Sequence, residues 1–206
     1  ADDFVVLHKD KSVILEAKQR IEQWLMGLGL ELKESKTRVC HTLYRMDGEE
    51  AGFDFLGWNF RQFSTGRKHS GKGSRGKLLG FKTIIKPSGS SVKTHYQKIA
   101  SVLDKMKGQS QKAVIAELNP IIRGWTNYHS AVCSKETFSH LDYLVSQKLR
   151  RWIKSRHPSK TQKWCNKRYW HRGKDKRSTG DNWVFSTPPE IPNSPIAGKY
   201  EMHKHA

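Results

Sequence analysis

Apolar residues recur at helical spacing through the middle of this chain, and this pattern most limits the folds open to it. One set recurs at intervals of four, three, four and three residues: Val92, Tyr96, Ile99, Leu103 and Met106. Ser134, a residue type that can cap a helix, precedes a second set with helical spacing. This set is Phe138, Leu141, Val145, Leu149 and Trp152. Each set lies on one face of an amphipathic helix. Residues 88–157 are therefore predicted to form a compact helical bundle.

The pattern between these two helices is interrupted at Asn119-Pro120. Three apolar residues before it indicate one short helix: Val114, Ile115 and Leu118. Asn followed by Pro is typical of an N-cap and the first position of a new helix. That second helix carries its own apolar stripe: Ile121, Trp125, Tyr128 and Val132. The sequence thus predicts two helices here, with Trp125 and Tyr128 in the core.

The first part of the chain has a different character, with short strand-like runs around one helix. Residues 4–7 read as a buried strand, and a helix capped by Asp10 or Ser12 follows it. This helix ends at Gly27 and Gly29. Its apolar stripe is Ala17, Ile21, Trp24 and Leu28. Further extended segments are predicted at residues 30–32, 36–39, 52–60 and 78–85, with a turn at 46–50 and a loop at 61–77. The expected fold class is α+β.

Composition changes mark the domain boundaries. Lys86-Pro87-Ser88-Gly89 reads as a boundary, and Pro158 ends the last long helix. We therefore divide the chain into residues 1–86, 87–158 and 159–206. In the last segment only residues 183–185 look like a strand, and the proline-rich end, with His203 and His205, is expected to be a loose tail.

Positive charge is concentrated in two segments. The chain carries 38 Lys and Arg against 19 Asp and Glu, a net charge of +19. Residues 61–86 hold eight bases and no acid, and residues 148–177 hold thirteen bases and one acid. Such a distribution indicates a polyanionic partner, nucleic acid rather than membrane. Three scattered cysteines and no signal peptide predict an intracellular, reducing location.

Two adjacent carboxylates, Asp2 and Asp3, precede the apolar run at residues 4–7. Like charges at the start of a strand repel each other unless a cation neutralises them. Mg²⁺ prefers such hard oxygen ligands and acts with them in phosphoryl or nucleotidyl transfer. A charged turn before a strand is the alternative that these two residues alone leave open.

Three motifs in order resemble group II intron reverse transcriptases, which are also maturases. Residues 1–7 resemble the end of the Tyr-Ala-Asp-Asp hairpin, and residues 53–58 resemble the Phe-Leu-Gly primer-grip segment. Residues 118–128 resemble the maturase-specific thumb, or X, domain. The resemblance covers residues 1–170. It implies the C-terminal part of a polymerase palm at 1–86, the thumb at 87–158, and a basic DNA- or RNA-binding extension at 159–206.

The resemblance implies an RNA-directed DNA polymerase that also helps its intron splice. Asp2 and Asp3 would be catalytic ligands of a two-Mg²⁺ site, which a carboxylate outside this chain would complete. The implied partners are the intron RNA, an RNA template with DNA primer, and deoxynucleoside triphosphates, with a homodimer possible and no membrane. The fragment by itself is expected to lack polymerase activity, and no endonuclease is expected. A cytoplasmic or organellar location follows.

Other residues are candidates for binding rather than chemistry. The resemblance places the primer end on Phe55, Leu56, Gly57 and Trp58. The resemblance places Lys36 where the family has a Lys-Thr pair after the palm helix. The other candidates for nucleic acid are bases of the two positive segments and two helix residues off the apolar stripe: Arg61, Arg67, Lys68, Arg75, Arg123, Asn127, Lys148, Arg150, Arg151, Lys154, Lys167 and Arg168. Trp164, Tyr169 and Trp170 can stack on unpaired bases or form a small local core. Two alternatives remain: a non-catalytic RNA-binding splicing factor, and an unrelated basic nucleic-acid-binding protein.

Overall fold

The computed structural model describes residues 3–172, 183–187, 202, 204 and 205. The chain divides into two compact units, Ala1–Ile85 and Lys86–Ala206. Helices are combined with small antiparallel sheets, so the predicted α+β class is confirmed.

The first unit is built from one helix, two short 3-10 turns and a small sheet. Helix α1 is Lys11–Gly27, and it starts after Asp10, as the sequence predicts. The strands are β1 (Phe53–Phe55), β2 (Trp58–Ser64) and β3 (Phe81–Pro87), in the order β1-β2-β3. The 3-10 turns are Glu34–Lys36 and Arg67–His69.

Three predicted strands of this unit are wrong. Residues 4–7, 30–32 and 36–39 form no strand, and the side chains of residues 4–7 are exposed. A strand is stable only when a neighbour takes up its N–H and C=O groups. No described segment pairs with these residues. Helix α1 likewise has no buried residue. Trp24 and Leu28, two members of its predicted apolar stripe, are exposed.

The turn predicted at residues 46–50 agrees with the structure, whereas the single strand predicted at residues 52–60 does not. The turn is confirmed, since Met46 and Glu49 bond to each other across Asp47 and Gly48, both with positive φ. Residues 52–60 are instead a hairpin, in which β1 turns back into β2. β2 then extends to Ser64, into the predicted loop, and β3 begins later than predicted, at Phe81.

The second unit contains the predicted helical bundle. Its helices are α2 (Gly89–Lys105), α3 (Gln111–His129), α4 (Lys135–Arg156) and α5 (Gln162–Tyr169). Strands β4 (Trp170–Arg172) and β5 (Trp183–Phe185) form an antiparallel pair. Ser88 and Ser110 cap α2 and α3 by accepting bonds from backbone N–H groups three residues on.

The apolar faces of these helices meet in one core. Fully buried members come from α2, α3 and α4: Ile99, Leu103, Ile115, Leu118, Ile122, Val145 and Leu149. Phe185 of β5 and Tyr169 of α5 join the same cluster. Burying one such side chain stabilises the fold by roughly 1.5–3 kcal/mol, so this core holds the unit together. The stripes predicted for α2 and α4 are confirmed.

The break predicted at Asn119-Pro120 is wrong, because α3 runs through it and Pro120 lies inside the helix. Leu118 and Ile122, on either side of the proline, are both fully buried. Their packing holds the chain helical although Pro120 cannot donate a backbone bond. The face that packs inward includes Ile122 and His129, whereas the predicted core residue Tyr128 is exposed.

The segment after Pro158 is more ordered than the sequence indicates. Helix α5 was not predicted, and it docks through Cys165 and Tyr169, which are both buried. The predicted strand at residues 183–185 is confirmed. The expected loose tail is wrong for Met202 and His205, which are buried in the second unit. His203 lies outside the described residues.

Candidate nucleic-acid interface

The carboxylate pair is the first site that the sequence predicts. Asp2 lies outside the described residues, and Asp3 is exposed beside a segment that is not a strand. The described part of the chain holds no group of three or more His, Cys, Asp or Glu side chains that fits a metal ion. The Mg²⁺ site predicted at Asp2 and Asp3 therefore stays a prediction.

The segment predicted as a primer grip is the tip of the β1–β2 hairpin. Phe55 and Trp58 face each other across the ladder, so Leu56 and Gly57 form the two-residue turn. Both have positive φ, 48° for Leu56 and 80° for Gly57, as a type I′ turn requires. Stacking of Phe53 on Phe60, with ring centroids 5.2 Å apart, supports the hairpin base.

Leu56 is an unusual residue for that turn. The backbone of a leucine is strained at positive φ, where Asn or Gly is normally found. Its side chain is 54% exposed, so packing does not explain its presence. Strain of this kind is often retained where a residue serves binding. The hairpin tip therefore presents an apolar side chain to solvent at the predicted primer-grip position.

The predicted bases of the first unit lie around this sheet. Arg61 is half-buried in β2, with its guanidinium 5.1 Å from the centroid of the Phe63 ring. The others are exposed on short turns and loops: Lys36, Arg67, Lys68 and Arg75. Because no acid lies between residues 61 and 86, the field of this segment is positive throughout.

Two predicted RNA-binding residues lie on α3. Arg123 and Asn127 are exposed and four residues apart, so they share one helix face. Trp125, on the opposite side, stacks on His95 with ring centroids 4.5 Å apart. Trp125 is half-buried and packs against His95 outside the main apolar core, and Arg123 and Asn127 remain candidates for RNA.

The predicted basic set of α4 is mostly engaged within the protein. Lys148 Nζ lies 2.7 Å from Asp104 Oδ2, and this bond lowers the pKa of the Asp104 carboxyl. Arg150 donates to Asn166, and Lys154 donates to the carbonyls of Pro158 and Lys160. A further member of the helix, Arg156, donates to the carbonyls of Lys107 and Gln109. Arg151 is exposed and, among the described residues, has no such partner.

Helix α5 presents further bases that point away from the core. Cys165 and Tyr169 hold its inner face. Lys163 and Lys167 are four residues apart on the outer face, and both are exposed, as is Arg168. We call Arg151, Lys163, Lys167 and Arg168 the free cations, because no described residue pairs with them. Lys163 was not predicted; its position on α5 was hidden because the helix was not recognised.

A buried polar cluster inside the bundle was missed by the sequence reasoning. His205 Nδ1 lies 2.7 Å from Asp142 Oδ1, and its Nε2 lies 2.8 Å from His95 Nε2. Burial, together with the nearby His205, lowers the pKa of His95 to about 3, so His95 is neutral. Burial also lowers the pKa of His129. This cluster fixes the end of the described chain to α2 and α4.

The comparison with known families finds one match, and it falls on this bundle. Residues 92–170 match the family model of the group II intron, maturase-specific domain. The match starts in α2 and ends at the first residue of β4. No curated protein matches the chain, and no reverse transcriptase domain is found in it. No helix of the described segments is long and apolar enough to cross a membrane.

The matched bundle with its exposed bases is a domain of the class found in intron-splicing proteins. More specifically, the match over residues 92–170 is to the maturase-specific domain of group II introns, which confirms the resemblance to the C-terminal part of such a maturase. The domain supports a role in the splicing of a group II intron and implies binding of the intron RNA.

Proposed function

We propose that this chain is the C-terminal part of a group II intron reverse transcriptase and maturase, and that its free cations hold the intron RNA. This proposal is supported by a maturase-specific match that coincides with a bundle carrying four exposed bases for which the described residues show no partner. Arg151, Lys163, Lys167 and Arg168 can therefore turn to phosphates without breaking a bond to any described residue. Such contacts set position and affinity rather than sequence preference.

The polymerase part of the proposal rests on the first unit. Asp2 and Asp3 would be the chain's share of a Mg²⁺ site that a carboxylate outside the chain completes. The exposed hairpin tip at Leu56 would meet the primer end. Because the described residues do not form a metal site, we expect no primer extension by this chain alone with template, primer, deoxynucleoside triphosphates and Mg²⁺. Robust extension would contradict this.

Charge reversal on α5 tests the RNA-binding surface. We expect the 206-residue chain to prefer a structured group II intron RNA at least tenfold over a length-matched unrelated RNA. The double variant Lys163→Glu, Lys167→Glu should bind the intron RNA about tenfold more weakly. Two lost phosphate contacts should also flatten the slope of log K against log salt by roughly 1.4–1.8. Filter binding over a salt series measures both quantities.

A matched variant distinguishes RNA binding by the α5 surface from RNA binding by net positive charge alone. Lys9→Glu, Lys33→Glu makes the same change in net charge at two exposed lysines of the first unit. If it weakens binding as much as the α5 variant, and the preference for intron RNA disappears as salt rises, the chain binds RNA only by charge. The proposed recognition by the bundle is then wrong.

Leu56 provides a separate test at the hairpin tip. Leu56→Asn creates Asn-Gly, the preferred type I′ pair, and little packing is lost because Leu56 is exposed. We expect the hairpin to gain about 0.5–1 kcal/mol, seen as slower amide exchange along β1 and β2. The same variant should bind a primer–template duplex more weakly. Unchanged duplex binding would argue against a primer-grip role for Leu56.

A further inference from the structure

A cavity of about 240 Å³ opens on the second unit, and none of the free cations is among the residues that line it. Its walls come from α4, β4, β5 and the C-terminal residues. The residues that matter here are Asp142, Tyr143, Trp170, Trp183, Phe185 and Lys204. Pockets for drug-sized ligands usually measure about 300–1,000 Å³, so this one suits a smaller, flat group such as a single base.

The cavity has an aromatic lining that is partly open to solvent. Phe185 is fully buried in the core, whereas Trp183 is 50% and Tyr143 60% exposed. Exposed aromatic rings that cluster in one patch often mark a contact with another molecule. The Arg150 guanidinium lies 5.5 Å from the centroid of the Trp170 ring. Exposed rings beside cations are what single-stranded RNA uses for stacking and backbone contact.

Asp142 adds a directional polar group to this lining. Its Oδ1 accepts from the backbone N–H of His205 at 3.0 Å and lies 2.7 Å from His205 Nδ1. Its Oδ2 has no hydrogen bond to any described residue, and the side chain is 24% exposed. A carboxylate repels phosphate but accepts from amino groups, as Asp does with the N4 amino group of cytosine. At the position of Asp142 the lining therefore favours the amino group of a base over a phosphate, whereas Lys204 is a cation elsewhere in the lining.

We propose that this cavity holds one unpaired nucleobase of the bound RNA, stacked on Trp183 or Tyr143 and donating an amino group to Asp142 Oδ2. The proposal rests on the proposed RNA-binding function. It adds a contact with a base edge to the phosphate contacts of the free cations. Because uracil carries a carbonyl where cytosine carries an amino group, the site prefers cytosine to uracil.

Short homopolymers test the preference in the intact 206-residue chain. We expect ten-residue oligocytidylate to bind at least fivefold more tightly than ten-residue oligouridylate, by fluorescence anisotropy at moderate salt. Asp142→Asn replaces a free acceptor by a group that can also donate, and should reduce the ratio to about twofold or less. Trp183→Ala and Tyr143→Ala should each weaken oligocytidylate binding at least threefold.

Trp24→Ala is the matched control, because Trp24 is an exposed aromatic of α1 that does not line the cavity. Circular dichroism checks that each variant is folded. Equal binding of the two homopolymers by the unmodified chain would overturn the proposal, and so would an equal loss in Trp24→Ala and both cavity variants. If intron RNA still binds with its tenfold preference, only the base site has failed. If the intron RNA preference is also missing, the proposed function has failed.

Discussion

Leu149→Ala should lower the free energy of unfolding of the second unit by about 3 kcal/mol, within a usual range of 2–5 kcal/mol. Leu149 is fully buried in α4 and belongs to the core that also contains Leu103 and Ile153. Its removal loses the transfer free energy of the side chain and leaves a cavity that close-packed neighbours fill only in part. Chemical denaturation followed by helical circular dichroism measures the change.

The control for this prediction lies two residues further along α4. Arg151 is exposed and has no partner among the described residues. Arg151→Ala should change the free energy of unfolding by less than about 0.5 kcal/mol. A loss below about 1 kcal/mol for Leu149→Ala, similar to that of Arg151→Ala, would mean that this position is not in the core. It would then remove the basis for treating the bundle as one packed unit.

Mild acid should destabilise the second unit, with a loss on the order of 1–2 kcal/mol between pH 7.5 and pH 5. The pKa of His95 is lowered from 6.5 to about 3 in the folded chain. Between these values the unfolded chain binds a proton that the folded chain excludes. Stability contributed by neutral His95 is therefore complete above about pH 6.5 and is lost progressively as the pH falls toward 3.

The groups around His95 set the size of this effect. Burial is the largest cause of the lowered pKa of His95. His205 from the C-terminal residues, His129 from α3 and Lys98 from its own helix lower this pKa further. Asp142 lies beyond His205 and accepts from it. The lowered pKa of His129 acts in the same direction as that of His95.

His95→Gln tests whether His95 is the group whose protonation destabilises the second unit in mild acid. Glutamine can still hydrogen-bond toward His205 but does not titrate, so the acid-dependent loss should shrink to the part that comes from His129. Urea denaturation at pH 5, 6 and 7.5 gives the three free energies needed for each protein. Identical pH dependence in the two proteins would show that His95 is not the titrating group.

Local pattern was enough to predict much of the bundle. The stripes of α2 and α4 repeat over several turns and are bounded by Ser88, Ser134 and Pro158, so periodicity and end signals agree. The hairpin at residues 53–60 was missed because its turn is Leu-Gly, which carries no usual turn signature at Leu56. The strand at residues 4–7 was predicted from apolar content alone, which cannot supply a pairing partner.

The candidate site was less predictable than the fold. Arg123, Asn127 and Arg151 could be chosen because they lie off an apolar stripe. The partners of Lys148 and Arg156 come from residues more than forty positions away, and no local pattern encodes such contacts. The contact of His205 with Asp142 spans 63 residues for the same reason. Sequence spacing therefore finds the helix faces, while the structure shows which cations are already occupied.

Pro120 has a consequence for the shape of α3. Pro120 is exposed, and so is Ala116, four residues earlier. The carbonyl oxygen of Ala116 receives no backbone hydrogen bond from position 120, because proline has no N–H. That oxygen can be hydrated, and the ring pushes the preceding turn outward, so α3 should curve with its convex side toward water. A bowed helix follows a rounded interior more closely than a straight rod. Removing the proline should straighten α3 and loosen its fit at both ends.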